Sequence, residues 1–253
     1  MKVLAGGCRL YESGDGESAI RGSWSSRAVM SHATGTKLIT QTVSDFAVGR
    51  SPVVRNPAAE EVLYVVRGTG MAHIAGYRYS LRPGLGVFVP PGASYAIENP
   101  GPDTLHVVGA CCPEDPGRQV TVGELDAPKP GEPPRRTVHE TDRAGIRAGK
   151  DREFRYLVHT DLGCKQVTQF VGWIPKSKAP FHHHTYEEGI YILEGSGRLH
   201  LQGERSTVPF GPGSSIYLPV GAVHCLENPG PAPIRVLGVF HPSGSPGVAY
   251  EED

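Results

Sequence analysis

One block of sequence occurs twice in this chain. Ile97-Glu98-Asn99-Pro100-Gly101-Pro102 is matched by Leu226-Glu227-Asn228-Pro229-Gly230-Pro231. At the same offset Pro90-Pro91-Gly92 is matched by Pro219-Val220-Gly221, and Leu105-His106-Val107-Val108-Gly109 by Ile234-Arg235-Val236-Leu237-Gly238. Upstream, Glu61-Val62-Leu63-Tyr64-Val65-Val66-Arg67-Gly68 is matched by Glu188-Gly189-Ile190-Tyr191-Ile192-Leu193-Glu194-Gly195, at an offset two residues smaller. The difference falls between Gly70 and Gly84, where a hairpin loop can absorb it. Repetition on this scale means one fold present twice, each copy building its own core from roughly 100–130 residues.

Within each copy, apolar and β-branched runs alternate with turn residues. Val62–Val66, Gly86–Val89, Leu105–Val108, Val167–Ile174, Ile190–Leu193, Ser215–Leu218 and Ile234–Phe240 all read as short strands. The 33 glycines and 23 prolines of the 253 residues break helices and favour turns, so the expected class is all-β, a sandwich or barrel. A single short helix is expected near Val138–Ala148. Residues 1–30, polar and rich in Ser and Gly, read as an arm that drapes over one barrel or is partly disordered. Residues 31–112 form the first barrel. Residues 113–150, rich in Pro, Glu, Asp and Gly, read as a linker, and residues 151–253 as the second barrel.

Charge and cysteine usage narrow the function class. The formal net charge is −1 and there is no basic stripe, which removes the electrostatic basis for nucleic-acid binding. No apolar run reaches the roughly 18–20 residues that span a bilayer, and the apolar stretch at the start is too short for a secretory signal, so a cytoplasmic protein is expected. Five scattered cysteines are an odd number and read as free thiols. Cys225 follows His224, and on an extended strand it points away from whatever His224 faces.

The chemistry concentrates in Phe181-His182-His183-His184-Thr185-Tyr186-Glu187-Glu188-Gly189 and in Pro219-Val220-Gly221-Ala222-Val223-His224. Residues two apart on a strand share a face, so His182 and His184 point one way and His183 the other. Glu188 has the same parity as His184, but a straight strand would hold the two roughly 13 Å apart. Metal ligands lie about 2.0–2.2 Å from their ion, so the chain must bend at Thr185-Tyr186-Glu187. His224 then comes from a neighbouring strand after the turn at Pro219-Val220-Gly221. His183 remains an alternative ligand from the residues alone.

These residues resemble the two metal motifs of the cupin superfamily. His182-x-His184-x3-Glu188-x6-Gly195 resembles the first, and Gly213-x5-Pro219-x-Gly221-x2-His224-x3-Asn228 resembles the second at every position. The resemblance covers roughly residues 40–112 and 155–242. It implies two tandem jelly-roll β-barrels, a bicupin, with His182, His184, Glu188 and His224 holding one divalent transition metal in the second barrel. Ile190 and Ile192, of the same parity as Glu188, are candidates for an apolar substrate pocket. Tyr186, Tyr217, Gln169 and His241 are candidate neighbours of the ligands or substrate.

The first copy keeps Gly84, Pro90, Gly92 and Asn99 but not the ligands. Aligned back from Glu61, the positions of the two motif histidines hold Arg55 and Pro57, and Tyr95 stands for His224. Such a copy cannot build the same site and reads as structural, or as a wall and lid for the second barrel.

The resemblance implies a metal-dependent enzyme acting on a small organic molecule. The first expectation is an oxygenase with iron, in which Glu188 tunes the ion or shuttles a proton. The alternative is a non-oxidative hydrolase, lyase or isomerase with manganese, nickel or zinc, similar in architecture to ureidoglycine aminohydrolase. A ligand-binding barrel without catalysis is the third. No organic cofactor, nucleic acid or membrane partner is expected, and the chain is expected to be a monomer or homodimer.

Overall fold

The computed structural model describes residues 1–113, 119–148, 151–244 and 248–250. Among them the regular structure is strand, with four short 3-10 turns and no α-helix. Among the described residues no helix is long and apolar enough to cross a membrane.

Each copy folds into two facing antiparallel sheets. In the first copy the larger sheet runs, strand by strand, Thr137–His139, Leu85–Val89, Glu60–Arg67, Leu105–Cys112, Thr40–Phe46, Trp24–Met30 and Glu17–Arg21. Facing it is a sheet of Tyr77–Leu81, Gly70–Ile74, Ser94–Asn99, Val53–Arg55 and Val120–Val122. The second copy repeats this. Its larger sheet is Lys2–Val3, Arg9–Tyr11, Ser215–Leu218, Glu187–Glu194, Ile234–His241, Thr168–Ile174, Arg152–Tyr156 and Ile146–Ala148. Its smaller sheet is Val208–Phe210, Gly197–Leu201, His224–Asn228, His182–His184 and Val248–Tyr250. The two-residue difference between the copies lies where the repeat places it. Tyr77–Leu81 follows Gly70–Ile74 after only Ala75 and Gly76, whereas residues 202–207 separate Gly197–Leu201 from Val208–Phe210.

Two apolar clusters fill the barrels. The first gathers Val54, Val65, Ala72, Ile74, Val87 and Ile97, and the second Ile174, Ile190, Ile192, Leu199, Ile216 and Leu226. Two further clusters lie between the larger sheets, where Val43, Tyr64 and Val108 meet Val171, Tyr191 and Leu237, and Val62 and Phe88 meet Val158 and Val239. The central strands are therefore buried on both faces. In Glu187–Glu194 the first six residues are all buried, so Glu187 and Glu188 point into different dry compartments, one between the barrels and one inside the second.

The segments outside the repeat tie the barrels together. Residues 1–30 do not drape over one barrel. Arg9–Tyr11 pairs with Ser215–Tyr217 of the second, and Trp24–Met30 pairs with Thr40–Phe46 of the first. Thr137–His139 reciprocates, pairing with Leu85–Val87 of the first barrel just before the chain enters the second. The helix expected near Val138–Ala148 is not formed. Val138 is committed to pairing with Gly86, Glu140–Asp142 makes one 3-10 turn, and Ile146–Ala148 turns back on Arg152–Phe154. Of the expected linker, residues 114–118 and 149–150 lie outside the described residues.

Candidate metal centre

His182, His184 and His224 converge inside the second barrel, each offering a ring nitrogen within 4.8 Å of the other two. Strand pairing brings this about. His182 lies directly opposite His224, and His184 shares the inward face of its three-residue strand. Gly221, with a φ of +77°, turns the chain ahead of His224, and its N–H donates to the His184 carbonyl at 2.9 Å. A residue with a Cβ is strained in that left-handed conformation, which is why the turn carries glycine. His183, only half-buried, is not part of the group. The Cys225 thiol donates to the Ala179 carbonyl at 2.9 Å, away from the histidines.

Hydrogen bonds orient two of the three rings. Nδ1 of His182 lies 3.0 Å from the Pro180 carbonyl, and Nδ1 of His224 lies 2.9 Å from the Ala222 carbonyl. A carbonyl only accepts, so in both rings Nδ1 carries the proton and Nε2 is left with its lone pair for an ion. Burial pushes the His224 imidazole down to about 3, helped by the neighbouring imidazoles of His182 and His184. Burial also lowers that of His182. Both rings are thus neutral at pH 7, the form that binds metal.

Glu188 stands one step outside the three-imidazole group. Its Oε2 lies 2.9 Å from Nδ1 of His184, yet the geometry makes no hydrogen bond, and both buried atoms have no hydrogen-bond partner among the described residues. A buried carboxylate oxygen and a buried imidazole nitrogen left this way are costly in a protein interior. Three imidazole nitrogens and a carboxyl group fit a divalent cation, so the donor set suits the metal that the sequence motif implies.

The other candidates divide. Tyr186 stacks on His184, with ring centroids 4.6 Å apart, and packs against Phe240 at 4.5 Å. Ile190 and Ile192 belong to the apolar cluster that fills this barrel. Tyr217, Gln169 and His241 lie away from the centre, in the seam between barrels. Tyr217 joins the seam cluster, the Gln169 side chain faces Gly86 of the first barrel, and Nδ1 of His241 lies 3.1 Å from the Cys112 thiol. The sequence reading missed Arg152. Its guanidinium donates to the Leu226 carbonyl at 2.6 Å and adds a positive charge that further disfavours protonation of His182 and His224. No motif marks an arginine that comes from the Arg152–Tyr156 strand, outside both histidine-bearing segments.

In the first barrel the equivalent positions are not Arg55 and Pro57. Tyr95 lies opposite Val54 as His224 lies opposite His182. Gly92 donates to the Asn56 carbonyl at 2.7 Å as Gly221 does to His184. Val54 and Asn56 therefore replace the two histidines. An extra residue in the bend between Val53–Arg55 and Glu60–Arg67 breaks an alignment counted back from Glu61. The conclusion that no such site exists here stands, because a valine has no donor atom. Glu61, the counterpart of Glu188, instead accepts a 2.6 Å hydrogen bond from the Tyr95 hydroxyl, with Gln119 beside it. The shared asparagine is structural in both copies. Asn228 Nδ2 donates to the Ile174 and Ala232 carbonyls, as Asn99 Nδ2 does to those of Phe46 and Asp103.

Comparison with known proteins agrees with this architecture. The family described as "Cupin domain" matches residues 43–110 and 169–240. Bacillus subtilis oxalate decarboxylase has a similar fold, with a TM-score of 0.78 at 12% identity, over 95% of this chain and 78% of that one. A protein of Methanocaldococcus jannaschii described only as uncharacterized is 40% identical over 91 residues, 35% of this chain and 71% of its own. The mannose-1-phosphate guanylyltransferase ManC of Salmonella typhimurium is 41% identical over 58 residues, 23% of this chain. That alignment spans only 12% of the transferase's length. Two matched regions on two jelly-roll barrels place the chain in the cupin family, as a bicupin.

Proposed function

We propose that the chain is a metal-dependent enzyme acting on a small organic substrate in the second barrel. The observation that carries this reading is the convergence of three buried imidazoles within 4.8 Å, two of them with Nδ1 tied to backbone carbonyls. A divalent ion held by His182, His184 and His224, with Glu188 as the fourth donor, would supply Lewis-acid polarisation of a substrate carbonyl or carboxylate. The chain's own residues do the rest. The Pro180 and Ala222 carbonyls fix the tautomers of His182 and His224, and Tyr186 fixes the plane of His184. Ile190 and Ile192 keep the floor of the site dry, which suits an organic substrate. Oε2 of Glu188, buried beside His184, is placed to hold or release a proton.

Oxidative chemistry at iron and non-oxidative chemistry at manganese use the same donors. Manganese is named for the Bacillus subtilis oxalate decarboxylase, whose fold this chain shares. That weighs for non-oxidative chemistry at manganese, with a small carboxylic acid as the substrate class, over the oxygenase that the motif first suggests. The test is turnover of small carboxylic acids by protein loaded with manganese or with iron, in air and under nitrogen. Turnover by the manganese form under nitrogen is expected. Activity only with iron and only in air would assign an oxygenase instead. Binding without turnover in every form would assign a ligand-binding barrel.

A further inference from the structure

The two ends of the seam between the barrels are related by the internal repeat but are furnished differently. At one end a carboxylate of the interdomain segment closes the seam. Glu140 accepts from the Tyr64 hydroxyl at 3.0 Å and from Arg235 at 3.0 and 3.1 Å. Arg235 also pairs with Glu194, and Arg155 with Glu153. At the other end the strand register supplies the counterparts. Tyr191 stands for Tyr64, His106 for Arg235, Arg27 for Arg155 and Arg67 for Glu194. Tyr11 lies opposite Ser215 as Val138 lies opposite Gly86, so Ser13 occupies the place of Glu140. The glycines agree. A Cβ on Gly213 would meet the Ser13 side chain, as one on Gly84 would meet that of Glu140.

One end thus keeps a tyrosine and an arginine, and has a serine in place of Glu140 and an arginine in place of Glu194. What remains is a cleft of about 280 Å³ lined by Ser13, Gly14, Arg27, Arg67, His106 and Tyr191. Neither Arg27 nor Arg67 forms an ion pair among the described residues, and the buried Nε of Arg27 has no hydrogen-bond partner among them. Two acids stand near the cleft, each held by another partner. Asp45 lies 2.7 Å from His106, and Asp15 holds the N-terminal ammonium at 2.6 Å.

We propose that this cleft is a binding site for a small organic carboxylate, seated where the Glu140 carboxylate sits at the opposite end. Two guanidinium groups on separate strands match a carboxylate, and the Tyr191 hydroxyl offers a third donor, as Tyr64 does to Glu140. The site lies in the seam, away from the histidine cluster, and does not depend on the metal reading.

The test is calorimetric titration of the full chain with succinate and with inorganic phosphate, against sodium chloride at matched ionic strength. Saturable succinate binding is expected in the wild type and in His224→Ala. Arg27→Gln and Arg67→Gln should each weaken it by about tenfold, the loss of one charge-assisted contact. Ser13→Glu should abolish it by restoring the carboxylate in place, with the unfolding temperature maintained or raised. Binding that survives Ser13→Glu and the arginine variants but disappears in His224→Ala belongs to the metal site and overturns the proposal. Absence of succinate binding in the wild type overturns it as well, and response to phosphate alone overturns the carboxylate class.

Discussion

Glu60 and Glu187 hold the two barrels together by the same device, each from the opposite side. Oε1 of Glu187 accepts from the backbone amides of Lys37, Leu38 and Ile39 at 2.9–3.3 Å. The Glu60 carboxylate accepts from the amides of Lys165 and Gln166 at 2.6–2.9 Å, and from the Cys164 thiol. Each segment comes from the other barrel's half of the chain. Without the carboxylates these amides would lose their protein acceptors; the Ile39 bond is buried and the others are part-buried, and a buried amide left unpaired costs about 1–3 kcal/mol.

Glu187→Ala and Glu60→Ala should therefore each lower stability by about 2–3 kcal/mol. Urea unfolding reads this as a lower midpoint with an unchanged slope. Because Glu187 faces the seam and Glu188 the barrel interior, Glu187→Ala should keep its metal while Glu188→Ala loses affinity for it. Equal metal loss in both variants would contradict this division of labour between adjacent residues.

A pH dependence follows from the first barrel. Burial raises the Glu61 carboxyl above its usual 4.5, outweighing the hydrogen bonds from Tyr95 and Gln119. A group whose folded-state value is raised binds its proton more tightly in the native state. Its contribution is fully present below about pH 4.5 and is lost as pH rises through the folded-state value. Glu61→Gln removes that loss and keeps an acceptor for Tyr95. It should be more stable than the wild type at pH 7, with the gap closing below about pH 4.5. Thermal unfolding at pH 4 and pH 7 reads both, and a gap that does not change with pH would contradict the assignment.

Metal should stabilise the fold through the histidines. A ligand present at 100 times its dissociation constant adds about 2.7 kcal/mol to a protein that binds it only when folded. Manganese added to metal-free protein should raise the unfolding temperature of the wild type, and leave those of His182→Ala and His224→Ala unmoved. Equal shifts in all three would place the ion elsewhere.

The sequence shows the architecture well because its strongest signals are local. Gly221, Pro219 and Asn228 report turn geometry, and the spacing of His182, His184 and His224 reports strand parity. What it conceals is set by pairing at a distance. Nothing near Arg9–Tyr11 says that its partner is Ser215–Tyr217 in the other barrel. The extra residue in the bend after Val53–Arg55 shifts register invisibly, so the counterparts of the histidines were legible as Arg55 and Pro57 when they are Val54 and Asn56. The stacking of Tyr186 between His184 and Phe240 depends on a fold-back that periodicity does not encode. Tyr217 and Gln169 look like site residues by position, but their strands are buried on both faces and parity alone does not say which compartment they enter.

The most direct test of the central claim is elemental analysis of untagged protein beside His182→Ala and His224→Ala, since a tag would add histidines of its own. About one divalent transition metal per chain in the wild type, lost in both variants, is the predicted result. Metal content that is at background in the wild type and no different in the variants, even after incubation with manganese or iron, would contradict a metal centre at these three histidines.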